Sequence, residues 1–287
     1  MFTLVVRGVP PRSLTTMSGM PIHYEKDDEH VVLITIDRPP RNALDMYHFR
    51  DLAAAWRRFK DDPDAWVAIV TGVGESFCVG ADLKTYIPQV TDLQRKIATG
   101  EITEIDGCKL SDGTYAVLRN VKIYKPIIGA INGFCVAGGM EMLGGIDIRI
   151  ASPNASFAVM EPKRGLFAGG GTTVRLPRQI PFPAAMEFLL TADRIDAQRA
   201  WEMGLVNQIV TPEDLLDAAY TMARRITVNA PLAVQATKES VLRCLALPLD
   251  DAYKLEQEIS SMVFQSEDAK EGPKAFAEKR KPNWQGK

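Results

Sequence analysis

Glu141 is the only charged residue in the stretch from residue 126 to residue 146. A carboxylate inside an apolar run is costly to bury unless another group pairs with it or uses it. The residues directly before it include Ala-Gly-Gly at 137–139, which are small enough for the backbone to approach a ligand closely. A carboxylate and exposed N–H groups within one turn indicate acid–base chemistry beside a developing negative charge. A paired, purely structural glutamate is the alternative.

Two segments of the chain, residues 75–84 and 132–141, share a pattern that could hold a negatively charged oxygen. Each follows a predicted strand, and each contains two adjacent small residues, at 80–81 and at 137–138. Two backbone N–H groups that converge on one oxygen form an oxyanion hole, and bulky side chains there would block the incoming carbonyl. Two tight turns that need glycine explain the same pattern equally well.

A second glutamate, Glu161, lies directly after a predicted strand and before Pro162. Together with Glu141 it supplies the two carboxylates that are expected for activating a water and delivering a proton. Taken alone, its position beside Lys163 and Arg164 favours a surface carboxylate. Sequence separation does not show whether the two glutamates meet in the folded chain.

The elements that must position these residues alternate between strand and helix as far as residue 210. Apolar, β-branched runs predict strands at 30–38, 65–72, 126–132, 146–152, 155–159 and 206–210. Asp45 is placed to cap the first helix, whose apolar residues recur at helical spacing. Residues 84–120 are interpreted as a long loop with short helices, which in a compact domain is usually functional. The alternation predicts an α/β fold.

Helical patterns dominate from residue 213 to the end of the chain. We therefore predict three parts: an N-terminal extension at 1–19, an α/β core at 20–212 that carries the site, and a C-terminal helical region at 213–287. The extension has two arginines and a short apolar patch, too weak a pattern for a signal peptide. Met17 and Met20 are alternative starts to Met1.

The composition is that of a soluble globular protein, with 287 residues, 46% hydrophobic, 24% charged and a formal net charge of −2. This balance gives no global footprint for nucleic acid or an anionic membrane, and no run reaches the ~20 apolar residues of a membrane span. Four cysteines without a CxxC pair and only three histidines argue against a zinc site. Free thiols are typical of a reducing compartment, so we expect a cytoplasmic protein without a bound metal.

Seven segments in matching order make the chain similar to the crotonase superfamily, and specifically to its enoyl-CoA hydratases, from residue 22 to residue 284. The resemblance implies the crotonase spiral of ββα units with a C-terminal helical region, and self-association as a trimer or a dimer of trimers. The segments are ITIDRPPRNAL, SFCVGADLK, KPIIGAINGFCVAGGMEM, SFAVMEPKRGLFAGGGTTVRLPR, LLTADRIDAQRAWEMGLVNQIV, NAPLAVQATKES and EGPKAFAEKRKPNW.

The resemblance implies an acyl thioester of coenzyme A as the substrate. Its carbonyl oxygen would be held by the backbone N–H groups of Ala81 and Gly138, which match the family's oxyanion hole. The family's two glutamates match Glu141 and Glu161, which would hold a water between them. That water would add across the double bond of a trans-2-enoyl-CoA and give a 3-hydroxyacyl-CoA. No separate cofactor is expected, since coenzyme A is part of the substrate.

Further positions match the family's substrate contacts. Those for coenzyme A and the thioester are Arg41, Ala43, Gly80, Asp82, Leu83, Lys84, Ala137, Phe276 and Lys279. Those for the acyl pocket are Tyr86, Ile87, Leu118 and Met160. The sequence departs from the family around Glu161, where Met160 replaces the usual proline, Pro162 replaces a small aliphatic residue and Ala168 replaces a common proline.

Two other interpretations stay open at this point. A related crotonase-fold dehydratase of the carnitinyl-CoA type, or an enoyl-CoA isomerase, would use the same oxyanion hole. A noncatalytic acyl-CoA-binding or RNA-binding homologue would keep the fold without the chemistry. The intact glutamate pair and the near-neutral net charge count against the noncatalytic alternative. The sequence does not set the acyl chain length, the stereochemistry or the pathway.

Overall fold

The computed structural model describes residues 21–287, so the predicted extension at 1–19 lies outside the described residues. The strands in this range are β1 (Ile22–Lys26), β2 (Val31–Ile36), β3 (Ala43–Leu44), β4 (Val67–Gly72), β5 (Ser76–Cys78), β6 (Gly80–Ala81), β7 (Ile127–Ile131), β8 (Phe134–Val136), β9 (Ile148–Ala151), β10 (Ser156–Ala158), β11 (Ile195–Asp196) and β12 (Gln208–Ile209).

The α-helices in the same range are α1 (Met46–Asp61), α2 (Tyr86–Ala98), α3 (Leu110–Ala116), α4 (Gly138–Leu143), α5 (Thr172–Arg175), α6 (Phe182–Thr191), α7 (Ala197–Glu202), α8 (Leu215–Thr227), α9 (Pro231–Cys244), α10 (Leu249–Phe264) and α11 (Glu267–Ala277). Short 3-10 helices cover Pro162–Arg164 and Leu176–Arg178.

Two sheets carry the fold. The larger has the strand order β1-β2-β4-β7-β9-β12, and its neighbours are parallel except for β1, which runs antiparallel to β2. The smaller has the order β11-β10-β8-β5 and is parallel except for the β10–β11 pair. β3 and β6 form a separate parallel pair. Parallel strands need crossover connections, and helices in those connections cover the faces of the sheets.

Strand β4 shows how the larger sheet is buried on both faces. Ala68 and Val70 face the main core, whereas Val67 and Ile69 belong to a second apolar cluster with helix α8. Successive side chains of a strand point to opposite faces, so a strand between two layers must be apolar throughout. This explains why the sequence of β4 is a continuous apolar run rather than an alternating one.

Helix α1 connects the larger sheet to the helices that follow it. Asp45 caps it as predicted, and its side chain accepts hydrogen bonds from the N–H groups of Tyr47 and His48. The apolar residues at helical spacing are buried, including Trp56. The Trp56 indole N–H donates to the carbonyl of Ala116 at 3.1 Å, which ties α1 to α3.

The predicted strands are confirmed, with ends shorter than the apolar runs that predicted them. The sequence analysis did not predict β1, nor the strands β3, β5, β6, β8 and β11, which are two or three residues long and too short to show an alternation. Residues 84–120 are more regular than the predicted loop, since α2 spans 13 residues and α3 spans 7. Leu93 of α2 is buried in a small apolar cluster that fixes this helix.

Helix α8 lies beyond the predicted core boundary at residue 212, yet it packs on strands β4 and β7 of the larger sheet. Helices α9 and α10 pack on each other. Across residues 21–287, every helix is too short or too polar to span a lipid bilayer.

Candidate active site

Strand β6 and the start of helix α4 bring the two glycine-containing segments into contact. A side chain at Gly80 would collide with the Gly138 nitrogen, and the φ of Gly80 is +81°, which also favours glycine. A Cβ at Gly138 would in turn lie 2.9 Å from the Gly80 Cα. Both glycines are therefore required by one close approach of two backbones, rather than by two separate turns.

The N–H groups of Ala81 and Gly138 are left to bind an atom in the same cavity. Asp82, the next residue after Ala81, donates its N–H to the Leu44 carbonyl at 2.8 Å. Because backbone N–H groups alternate in direction along a strand, that of Ala81 points away from β3. Gly138 is the first residue of α4, where an N–H has no acceptor within the helix. Both residues line one cavity, so they can form the predicted oxyanion hole.

Ala137 holds a rare backbone conformation directly before helix α4. Its φ and ψ are 49° and −119°, outside the regions that residues with a side chain usually adopt. Its N–H donates to the Ala158 carbonyl at 3.0 Å, and its own carbonyl accepts from the Glu141 N–H at 3.0 Å. Such strain costs of order 1–3 kcal/mol and is typical of functional sites. The conformation places the start of α4 at the cavity.

Glu141 lies in the first turn of α4, and its carboxylate accepts a hydrogen bond from the Gly170 N–H. A side chain at Gly170 would overlap this carboxylate, so only glycine fits. The Arg175 guanidinium donates to the carbonyls of both Glu141 and Gly170, the latter at 3.1 Å. It also donates to the carbonyls of Val117 and Leu118, at 3.2 and 2.8 Å. Arg175 thereby holds the backbone segments that orient Glu141.

Glu161 directly precedes the short helix at Pro162–Arg164. Its carboxylate oxygen Oε2 is buried and has no hydrogen-bond partner among residues 21–287. Lys163 does not neutralise it, because the Lys163 ammonium pairs with Asp193 at 2.6 Å. A buried carboxyl oxygen without a partner favours the protonated form of the group, although the backbone N–H groups of Met160 and Glu161 act against this. The position of Glu161 therefore differs from that of a surface carboxylate.

The surroundings of the two carboxyl groups raise their pKa values to different extents. Burial raises the pKa of Glu161 to about 7, and the charge of nearby Glu141 acts in the same direction. Burial also raises the pKa of Glu141, but the Gly170 N–H and the charges of Arg175 and Arg119 oppose this rise. The pKa of Glu161 is therefore raised further than that of Glu141, so Glu161 keeps its proton to a higher pH. One group can take a proton while the other gives one.

One apolar cavity of about 380 Å³ contains both carboxyl groups and both residues of the oxyanion hole. The predicted site residues that line it are Ala81, Leu83, Tyr86, Ile87, Ala137, Gly138, Glu141 and Glu161. A second cavity of about 620 Å³ is larger, but neither glutamate lines it, so we assign the chemistry to the smaller one. Within residues 21–287, no three His, Cys, Asp or Glu side chains are grouped so that they could hold a metal ion.

Leu118 does not line this cavity, which corrects the prediction that it forms part of the acyl pocket. Its backbone has a φ of +57°, and its buried side chain packs beside Gly145 and lines the second cavity. Val117 lines this cavity in its place. Met160 does not line the cavity either. Its neighbour Glu161, whose backbone is helical with φ −55° and ψ −44°, lines the cavity instead.

Three predicted substrate contacts surround the oxyanion hole without lining the cavity. Ala43 is paired with Gly80 in the register of β3 and β6, so it supports the strand that carries the hole. Asp82 pairs with Arg38 at 3.0 Å. Lys84 is exposed on the segment that follows. Their contact with coenzyme A stays a prediction.

The other basic and aromatic positions predicted for coenzyme A also lie outside the cavity lining. The Arg41 guanidinium lies over the Phe134 ring, 4.6 Å from its centroid. Phe276, in helix α11, is 87% exposed, and Lys279 follows the end of that helix. The structure therefore does not bring Phe276 or Lys279 to the glutamates.

The residues that orient Glu141 were missed by the sequence reasoning. Gly170 and Arg175 belong to the segment GGGTTVR, which the sequence indicates only as a glycine-rich helix start. One glycine is enough for the start of a helix, so three consecutive glycines could have predicted that another group approaches this backbone closely. The structure supplies the reason at Gly170, where the Glu141 carboxylate occupies the space of a side chain.

The Glu161→Gln variant is expected to be more stable than the parent above neutral pH. The folded-state pKa of about 7 lies above the unfolded value, so the stability that this carboxyl contributes is complete at low pH and is lost as pH rises through 7. Glutamine keeps the shape and carries no charge. Since Glu161 is partly exposed, we expect a gain in Tm of only about 2–4 °C near pH 8 and almost none near pH 5. A difference in Tm between Glu161→Gln and the parent that does not change with pH would contradict the raised pKa of Glu161. A change in Tm equal to that of the exposed control Glu213→Gln would contradict it as well.

Comparison with known proteins bears directly on this site. Residues 26–287 match the protein family described as enoyl-CoA hydratase/isomerase. The chain is 40% identical over 265 residues to the enoyl-CoA hydratase EchA19 of Mycobacterium tuberculosis, covering 90% of this chain and 94% of that protein. It is 39% identical over 263 residues to a carnitinyl-CoA dehydratase of Proteus mirabilis, covering 90% and 95%. A crystal structure of enoyl-CoA hydratase from Mycobacterium tuberculosis matches with a TM-score of 0.80 at 40% identity, covering 93% of this chain and 99% of that one.

The chain therefore belongs to the enoyl-CoA hydratase/isomerase family. Its fold is the crotonase fold, as the sequence predicted, with helices at the C-terminal end.

Proposed function

We propose that this protein is an enoyl-CoA hydratase, which adds water across the C2–C3 double bond of a trans-2-enoyl-CoA. The observation that carries the proposal is that Glu141 and Glu161 share one apolar cavity with Ala81 and Gly138. An oxyanion hole alone would serve many reactions of acyl thioesters. Two carboxyl groups with different pKa values suit the addition of water, because one can accept a proton from the water while the other donates a proton to the substrate.

The oxyanion hole stabilises the charge that the reaction creates. As the water oxygen bonds to C3, the electrons of the double bond move toward the thioester and charge builds on its carbonyl oxygen. The N–H groups of Ala81 and Gly138, with the positive end of helix α4, stabilise that oxygen. Loss of one such donor typically lowers kcat by ~10²–10³-fold.

The two carboxyl groups divide the proton transfers. The Glu141 carboxylate is oriented by the Gly170 N–H, so it takes a proton from the attacking water. Glu161, with its pKa raised to about 7, gives its proton to C2 as the enolate collapses. One proton leaves the water and one reaches C2, so the product is the 3-hydroxyacyl-CoA. The pair ends with Glu141 protonated and Glu161 ionised, and exchange with solvent restores both.

Self-association through the C-terminal helices is part of the proposal. Leu245, Leu249 and Phe264, at the ends of α9 and α10, are 70%, 65% and 79% exposed. Exposed apolar patches of this kind mark interaction surfaces. We expect light scattering to report the mass of a trimer or of a dimer of trimers, and a monomer at micromolar concentration would contradict it.

We also place the reaction in the cytoplasm. All four cysteines are free, and three of them are buried. Free thiols persist in a reducing compartment. The proton transfers described above need neither a metal nor a redox cofactor, and coenzyme A enters as part of the substrate.

Hydratase activity is tested by mixing the purified protein with crotonyl-CoA and with longer and branched enoyl-CoAs. Hydration removes the conjugation of the thioester, so its ultraviolet absorbance is expected to fall. Mass spectrometry of the product separates hydration, which adds the mass of water, from isomerisation, which adds none. No turnover with any of these substrates would contradict the proposal.

A carnitinyl-CoA type of hydration and dehydration is the second candidate. It is favoured by the 39% identity to the carnitinyl-CoA dehydratase. In addition, the rings of Phe49 and Tyr86 line the cavity beside the two glutamates, and such a setting can hold a trimethylammonium group. Crotonobetainyl-CoA should be compared with its uncharged isostere, in which carbon replaces nitrogen. A preference for the charged substrate of tenfold or more would support this candidate.

A further inference from the structure

The part of the cavity that must take the acyl chain is formed by helices α2 and α3. The reacting carbons C2 and C3 have to lie at Glu141 and Glu161. The same cavity is also lined by Val90 of α2 and Leu110 of α3, which leaves space for acyl carbons that follow C3. A four-carbon acyl group has only one carbon beyond C3, so this space is made for a longer chain.

The walls of this space show which chemistry the chain carries. Apart from the two glutamates and the Tyr86 phenol, none of the described residues that line the cavity is ionisable. An acyl group with its own carboxylate would lie beside two glutamates with no lining cation to offset the repulsion. The cavity therefore disfavours an acyl group that carries its own carboxylate.

A single close contact bounds this space on the side of α3. Gly113 lies in the middle of α3, and a Cβ built on it would be 2.6 Å from the Tyr86 hydroxyl oxygen. Glycine inside a helix costs about 1 kcal/mol relative to alanine, so helix stability does not explain the residue. A residue that breaks a local rule without local benefit is expected at a functional position.

Other contacts hold both Tyr86 and helix α3 in place, so neither can move away from the other. The Tyr86 ring packs against Phe49 with their centroids 4.5 Å apart. Two contacts with helix α1 hold α3 in place. Arg57 of α1 pairs with Asp112 of α3 at 2.7 Å, and the Trp56 indole of α1 donates to the backbone of α3. An added methyl group at position 113 would therefore push the Tyr86 hydroxyl into the cavity.

We propose that the Tyr86–Gly113 contact sets the depth of the acyl pocket, and that the pocket selects enoyl-CoAs whose acyl groups are longer than four carbons and carry no carboxylate of their own. The glycine leaves room for the phenol beside the helix, and this keeps the space between α2 and α3 open. The inference rests on the proposed hydratase function for its reaction, but the contact itself can be tested by binding.

The test compares trans-2-octenoyl-CoA with crotonyl-CoA in three variants. Gly113→Ala is expected to lower kcat/KM for octenoyl-CoA at least tenfold, while crotonyl-CoA stays within about threefold. Alanine favours the helix, so the variant is expected to fold, and its Tm checks this. Adding Tyr86→Phe to Gly113→Ala removes the oxygen that collides and should restore octenoyl-CoA to within about threefold of the parent. Ser111→Ala, on the exposed side of α3, is the control.

Tyr86→Phe alone supplies an independent test, because it removes the hydroxyl from an unaltered helix. The ratio of kcat/KM for octenoyl-CoA to kcat/KM for crotonyl-CoA should be equal to that of the parent or higher. A Gly113→Ala variant that slows both substrates equally, or neither, would overturn the proposal, as would a folded double variant without recovery. Equal turnover of octenoyl-CoA and an enoyl-CoA of the same length that ends in a carboxylate would overturn the exclusion of acyl carboxylates.

Calorimetry with octanoyl-CoA and butanoyl-CoA separates this inference from the proposed function. These saturated thioesters bind without reacting. If no enoyl-CoA is hydrated, but Gly113→Ala weakens octanoyl-CoA alone and the double variant restores it, the hydratase proposal fails and the pocket assignment stands. If hydration occurs and octanoyl-CoA binding is unchanged in Gly113→Ala, the pocket assignment fails.

Discussion

Replacing Glu141 with glutamine is expected to lower kcat by about a thousandfold, within the ~10²–10⁴ range of general acid–base catalysis. The amide keeps the size of the side chain but cannot accept a proton from water. Coenzyme A thioesters should still bind, since the oxyanion hole uses the backbone of Ala81 and Gly138. The measurement is kcat with the best enoyl-CoA substrate, together with the Kd of its saturated analogue from calorimetry.

Glu213→Gln is the control for Glu141→Gln, because Glu213 is exposed. Its kcat is expected to equal that of the parent. This pair of variants also separates an enzyme from a noncatalytic binding homologue, for which both substitutions would be silent. Full activity in Glu141→Gln would contradict the role of Glu141 as the base.

Adding one methyl group at Gly170 is expected to lower kcat by about a hundredfold, although this residue takes no part in proton transfer. The new Cβ would occupy the position of the Glu141 carboxylate, so either the side chain or the loop must move. A catalytic group displaced by about 1 Å loses rate on this scale. The measurement is kcat and KM of Gly170→Ala, with its Tm to show that the fold is retained.

The neighbouring glycine provides a matched control. A Cβ at Gly169 would meet only the Phe167 carbonyl, at an ordinary distance of 3.9 Å. Gly169→Ala is therefore expected to keep kcat within about threefold of the parent. Equal losses in Gly169→Ala and Gly170→Ala would show a general effect on the loop, and full activity in both would show that Glu141 does not need this position.

The role of Glu141 could be inferred from the sequence because its signal is local. A lone carboxylate in an apolar run, one turn after small residues, already restricts the chemistry. The meeting of residues 80–81 with 137–138 followed only from the resemblance to the family. The structure adds the physical cause, which is the contact between Gly80 and Gly138.

The partners that orient Glu141 could not be predicted, because they come from a distant part of the chain. Gly170 is 29 residues away in sequence, and Arg175 binds carbonyls rather than side chains. Every residue type has a backbone carbonyl, so the sequence does not indicate which carbonyl Arg175 binds. The same limit applies to Leu118, whose positive φ turns its side chain away from the cavity, so that Val117 lines it instead.

The altered sequence around Glu161 put its position in question, and the structure places it in the cavity. Met160 and Pro162 flank it, yet its carboxyl group lines the same space as Glu141. The two glutamates differ in their hydrogen bonds. The Glu141 carboxylate accepts a hydrogen bond from the Gly170 N–H, whereas Oε2 of Glu161 is buried without a partner. This difference supports the proposed roles, in which Glu141 is the base and Glu161 is the proton donor.

Hydration in water enriched with heavy oxygen tests the central claim most directly. The substrate is the enoyl-CoA that turns over fastest, and mass spectrometry locates the label in the product. We predict one labelled oxygen at C3 of a 3-hydroxyacyl-CoA and, in deuterated water, one deuterium at C2, with both labels incorporated about a thousandfold more slowly in Glu141→Gln. A product without solvent oxygen, or a double bond that only moves along the chain, would contradict the claim that this glutamate pair adds water.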